Sequence, residues 1–114
     1  MFSDLQVKHL NPALKIDGNH DINDIWNLYQ KHAVDLWHTQ NATVITEVIK
    51  FPKRKVLNIW LAGGEMDGCK NLHKEITKFA KKINCKTITI TGRPGWKKIF
   101  PEYKKTAELI GFDL

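Results

Sequence analysis

Apolar residues recur at Ile22, Ile25, Trp26, Tyr29, Ala33, Leu36 and Trp37, on one side of a 3.6-residue helix. The spacing predicts a helix over Ile22 to Trp37. Asp21 is placed to cap it, and Asp24 falls in the first turn, where the helix dipole favours a carboxylate. Before it, Met1 to Gly18 show no clean period and read as an irregular or short-strand lead-in. Ala42 to Phe51 carries Thr43, Val44, Ile45, Thr46, Val48 and Ile49, a β-branched run that predicts a strand. Pro52–Lys53–Arg54–Lys55 is a tight polar connection to a second strand, Val56 to Ala62. So short a link implies an antiparallel hairpin. The second strand is apolar on both faces apart from Asn58, as expected of a central strand covered twice.

Gly63–Gly64–Glu65–Met66–Asp67–Gly68 then breaks the pattern, with Asp67 as the expected cap of a helix. That helix places Cys69, Leu72, Ile76, Phe79, Ala80 and Ile83 on one face and stops at Asn84. Thr87 to Thr91 alternates threonine with isoleucine and reads as a strand. Strand, crossover helix and strand make a βαβ unit with parallel strands and an expected right-handed connection. A second glycine turn, Gly92 to Trp96, leads to a short helix over Trp96 to Phe100 and a last strand over Thr106 to Phe112. The whole chain, residues 1–114, reads as one α/β domain without repeats or linkers.

Composition narrows the function classes. Hydrophobic content of 42% and charged content of 26% belong to an ordinary globular chain and exclude disorder. No apolar run approaches the roughly 20 residues of a membrane span, and Met1 to Leu10 has no signal-peptide core. Cys69 and Cys85 lack metal-type spacing and are expected as reduced core thiols. The histidines form no HExxH or Cys/His cluster, so no metal site is expected. Ser3 is the only serine and sits in no nucleophile motif. A net charge of +6 favours an anionic partner, although the Ile-, Lys- and Asn-rich composition also fits codon bias.

Three features carry candidate chemistry. A glycine turn that opens a helix presents bare N–H groups to a phosphate, which nominates Gly63, Gly64, Gly68 and Cys69 as cofactor-binding positions. Glu65 and Asp67 oppose an anion there, and the turn matches neither GxGxxG nor GxxxxGK[ST], so a plain capped turn is the competing reading. Lys70, Lys74, Lys78 and Lys82 recur at intervals of four, a stripe that is either an interaction surface or a solvated face. Arg93, Trp96 and Lys97 extend the candidate surface, since arginine beside tryptophan grips phosphate or stacks on a base; packing of Trp96 under the sheet is the alternative. No catalytic residue is nominated.

The order of helix, hairpin, glycine turn, helix, strand, short helix and final strand resembles the GCN5-related N-acetyltransferase (GNAT) fold over Asp21 to Leu114. The resemblance implies a central mixed sheet with helices on both faces, truncated relative to full acetyltransferases. It implies that Leu61 to Gly68 occupies the family's acetyl-CoA pyrophosphate loop and that Thr87 to Phe100 matches its next strand and helix. The family's Q/R-x-x-G-x-G/A pattern is not reproduced by Gly63 to Gly68; Tyr103 falls near the family's late catalytic tyrosine. The segment Asn84–Cys85, strand, Gly92–Arg93–Pro94–Gly95–Trp96 resembles small GNAT-like proteins of tailed bacteriophages. That likeness implies a non-catalytic virion or assembly protein without a cofactor, in the virion or the host cytoplasm. Its partners would be other virion or assembly proteins, DNA or further copies of the chain, with no membrane. The alternatives are an N-acetyltransferase using acetyl-CoA and a basic nucleic-acid-binding module.

Overall fold

The structure, a computed structural model, describes residues 1–91. Its elements are α1 (Asp4–Asp17), α2 (Ile22–Gln30), β1 (Asp35–His38), β2 (Ala42–Lys50), β3 (Lys55–Gly64), α3 (Met66–Lys82) and β4 (Thr87–Ile90). The strands form one sheet in the order β1-β2-β3-β4. The first two pairings are antiparallel, and β3 and β4 are parallel. The short helix and last strand expected after residue 91 lie outside the described residues.

Met1 to Gly18 hold a helix rather than the expected irregular lead-in. Ser3 closes a capping box with Gln6, and Gly18 ends the helix in the left-handed conformation, its N–H donating to the Leu14 carbonyl. Leu10, Ala13 and Leu14 are buried. Pro12 lies inside the helix, where it removes one backbone donor and disguises the period. The next helix is shorter than expected. It ends at Gln30, and His32 takes a left-handed φ of 59° that turns the chain back. Leu36 and Trp37 therefore belong to β1, which pairs Asp35 with Thr46 and His38 with Thr43. Their apparent helical spacing is a coincidence of two elements read as one.

Two layers of core follow. On one face, α3 packs Cys69, Leu72, Ile76 and Ala80 against Val44, Leu57, Ile59 and Ala62. On the other, α1 and α2 pack Leu10, Leu14 and Ile25 against Ile45 and Leu61. Burial on this pattern is what holds the sheet between helices. The helix beginning after the glycine turn stops where expected, with Asn84 at a left-handed φ of 63°.

β3 carries a bulge. Ile45 pairs with Leu61, yet Thr46 pairs with Ile59, so Trp60 is the extra residue. Ile59 faces α3, Trp60 and Leu61 both face α1 and α2, and Ala62 faces α3 again. Asn58, the one polar break in the strand, accepts from Thr89 Oγ1 at 2.7 Å and Thr91 Oγ1 at 3.1 Å. Its Nδ2 donates to Glu47 Oε1 at 3.0 Å. This half-buried network fixes the register between β3 and β4.

Candidate functional site

Among the described residues the ladder runs to Ile59 opposite Ile90, and the Thr91 N–H donates to the Ile59 carbonyl. β3 continues to Gly64 and then turns directly into α3. On the α3 side, Ile59 and Ala62 of β3, Ile90 of β4 and Cys69, His73 and Ile76 of α3 line a small apolar cleft, with room for about one water (≈ 10 Å³).

The nominated glycines have packing reasons of their own. A Cβ on Gly63 would lie 1.7 Å from the His9 carbonyl oxygen of α1. Gly64 has a φ of +105°, and a Cβ there would lie 2.2 Å from the Asn41 carbonyl oxygen. Gly68 rests against Ala42 and Asn41, and Cys69 is a buried core thiol whose Sγ lies 3.9 Å from the Gly63 carbonyl oxygen. The structure thus brings all four positions to the β3–α3 junction, with Gly63, Gly68 and Cys69 buried and Gly64 at the surface.

Asp67 does not cap α3. The cap position belongs to Glu65, which makes no side-chain cap bond; Asp67 lies in the first turn. The Glu65 N–H is bound to the Asn41 carbonyl at 2.7 Å, which sets the start of the helix ahead of Asp67. By contrast, α1 and α2 each close a full capping box, Ser3 with Gln6 and Asp21 with Asp24. The first N–H groups of α3 thus have no helical acceptor and no side-chain cap, at an exposed stretch from Gly64 to Asp67.

A pair of groups on the opposite face escaped the sequence reading. Asp17 Oδ2 meets His20 Nδ1 at 2.9 Å, and Asp17 Oδ1 accepts from Trp60 Nε1 at 3.3 Å. The His20 ring stands edge-on to the Trp60 indole, centroids 4.8 Å apart. Burial pushes the Asp17 carboxyl up, but hydrogen bonds from His20, the Asn19 N–H and Trp60 outweigh it and hold the group below its ordinary 3.8. His20 keeps 36% of its side chain exposed. The only signal in the sequence is the short Asp17–Gly18–Asn19–His20 turn, which has meaning only once Trp60 is folded against it.

The lysines Lys70, Lys74, Lys78 and Lys82 are all exposed along α3; Lys78 makes a weak ion pair with Glu75 at 3.9 Å. Arg93, Trp96 and Lys97 lie outside the described residues. Among the described residues no helix is long and apolar enough to cross a membrane, and no group of His, Cys, Asp and Glu is arranged to hold a metal ion.

A mixed sheet between helices, a bulged central strand, a glycine turn into a helix and a parallel fourth strand together make a small GNAT-like α/β fold. It is similar to that of a Trypanosoma brucei acetyltransferase, with a TM-score of 0.58 at 13% identity over 96% of this chain and 96% of that one. The protein TTHA1254 of Thermus thermophilus is also similar. Its point-mutant form gives a TM-score of 0.61 at 9% identity, covering 99% of this chain and 93% of that one. The wild-type form gives 0.57 at 10%, covering 99% and 92%. Identities this low carry the fold alone. No family model matches the chain, and no curated protein matches it in sequence.

Proposed function

We propose that the chain binds acetyl-CoA at the β3–α3 junction and transfers its acyl group to an amine. The observation that carries this reading is the start of α3: uncapped N–H groups where β3 turns into the helix. Exposed helical N–H groups and the helix dipole suit a pyrophosphate. Glu65 and Asp67 act against it. In water a contact at 4 Å costs about 1 kcal/mol per charge pair, similar to what a helix terminus contributes. With two acids there are at least two such pairs, so the charge terms oppose the anion and direct backbone hydrogen bonds must outweigh them.

The bound thioester supplies an activated acyl group. With the donor on the α3 side, the acceptor amine enters from the side of α1 and α2, where Asp17, His20 and Trp60 stand. His20, oriented by Asp17, would take the proton that the amine loses as its nitrogen bonds to the acyl carbon, while the thioester C–S bond breaks and coenzyme A leaves as its thiolate. Titration calorimetry with acetyl-CoA tests the binding step: a dissociation constant below about 100 μM is expected, and binding weaker than millimolar overturns the reading. His20→Ala is expected to slow turnover at least tenfold while leaving acetyl-CoA affinity within twofold.

A second reading, a non-catalytic virion or assembly protein of a tailed phage, is favoured by one observation. Close packing accounts for Gly63, Gly64 and Gly68 without any ligand, and the exposed turn they frame carries two acids. Mass spectrometry of purified particles tests it; a stoichiometric copy number supports it, and absence of the chain from the particles overturns it.

A further inference from the structure

At the end of the molecule remote from the β3–α3 junction, three separate segments converge. The β2–β3 hairpin tip brings Lys50, Lys53 and Arg54, all exposed, and the half-buried Lys55. The end of α3 brings the exposed Lys81 and Lys82, and the connection to β4 brings Lys86. Hydrogen bonds tie the hairpin to the connection that follows α3. The Lys86 N–H donates to the Lys55 carbonyl at 3.0 Å, and Arg54 Nη1 donates to Thr87 Oγ1 at 3.2 Å. The acid on β2 nearest this end in sequence, Glu47, is bonded to Asn58. Within the hairpin tip, between Lys50 and Lys53, Phe51 is 51% exposed, held in the turn by its N–H to the Arg54 carbonyl at 2.8 Å.

We infer that this end is a binding surface for single-stranded nucleic acid, in which the hairpin and the end of α3 hold phosphates while the Phe51 ring stacks on a base. Cations alone fit any polyanion. An exposed aromatic ring set among them fits a strand with unpaired bases, because every base offers a face for stacking. A duplex buries those faces, and an acidic peptide offers none. The surface is independent of the acetyl-CoA reading, since it lies at the opposite end of β3 from the glycine turn.

The test is fluorescence anisotropy of the full chain with a fluorescein-labelled dT12 oligonucleotide, titrated at several salt concentrations. If about four phosphates are engaged, the logarithm of affinity falls with the logarithm of salt at a slope of about −3, a loss of roughly 50-fold between 50 and 200 mM. Phe51→Ala is expected to weaken binding about tenfold with the salt slope unchanged. The pair Lys53→Gln and Arg54→Gln is expected to weaken binding and reduce the slope by about 1.4. These side chains project from an exposed turn, and thermal melts matching wild type confirm intact variants. Absence of binding at 50 mM salt overturns the proposal. So does binding that ignores both variants, or displacement by polyglutamate as effective as unlabelled dT12, which would assign the surface to an acidic protein.

Discussion

Replacing Gly63 by alanine would set a methyl carbon 1.7 Å from the His9 carbonyl oxygen and 2.7 Å from the carbonyl carbon. Both neighbours are backbone, so no side chain can swing away. Separations below 3.0 Å are essentially unknown for real Cβ atoms, so α1 and β3 must separate by at least about 1.3 Å. The move is resisted on both sides of the contact. His9 Nδ1 is bonded to Thr43 Oγ1 at 2.9 Å, and Thr43 is the ladder partner of Gly63. One residue on, Leu10 is fully buried in the core beneath α1. A gap of 0.5–1 Å already forfeits a quarter to a half of a dispersion contact, and forced overpacking generally costs about 1–3 kcal/mol. With backbone as the obstacle, the upper end applies, about 3 kcal/mol. For a domain of this size that lowers Tm by roughly 10–20 °C. Urea titration followed by far-UV circular dichroism measures it, with an unchanged m-value confirming a stability effect. A loss below about 1 kcal/mol would refute the contact and return Gly63 to the role of a ligand-facing glycine.

Other outcomes follow from the polar contacts. Asp17→Asn replaces a carboxylate that accepts from His20, Asn19 and Trp60, and is expected to cost about 1–3 kcal/mol at pH 7 in thermal or chemical unfolding. Because the folded Asp17 has a lowered pKa, its stabilisation is present above the ordinary 3.8 and is lost as pH falls through that value toward the folded one. Melts of wild type and Asp17→Asn from pH 7 to 3 should therefore converge at the acid end; parallel curves would count against the linkage. Asn58→Ala strands Thr89, Thr91 and Glu47 and is expected to cost about 2 kcal/mol, with faster hydrogen exchange at the Thr91 amide. Thr89→Val removes one of those bonds and should cost about half as much.

The hairpin, the helix after the glycine turn and the parallel fourth strand were legible because each occupies one uninterrupted stretch with its own period. Asn58 was visible as a polar break, but its partners Thr89 and Thr91 become neighbours only across the parallel ladder. Two errors have definite causes. Pro12 masked a helix whose buried set, Leu10, Ala13 and Leu14, keeps helical spacing. At Leu36 and Trp37, a strand continued the helical count of α2 across a reversal made by a non-glycine residue, His32. Within the candidate site, the glycine turn was plain in the sequence, whereas its uncapped helix and the Asp17–His20–Trp60 contacts depend on long-range packing. The same holds for the basic end, since 33 positions of sequence separate Arg54 from Thr87, and its hairpin reads as a polar connection.

The bulge at Trp60 decides where the central strand can tolerate a change in length. A strand keeps time in steps of two, and a lost residue ordinarily throws part of it onto the wrong face. At Trp60 there is slack. Deleting that residue alone would leave Ile59 toward α3, Leu61 toward α1 and α2, and Ala62 toward α3, because the surplus member of a same-facing pair is the one removed. The pairings of Thr46 with Ile59 and Ile45 with Leu61 would simply become consecutive. What would go is the indole, with its contacts to Asp17 and His20, and the local bend. Deleting Asn58 instead would use up the same slack at a cost in facing: Ile59 would turn away from α3 and Trp60 toward it. Two deletions two positions apart, equal in the length they remove, would therefore give one strand with its faces intact and one with a bulky indole driven into the α3 core.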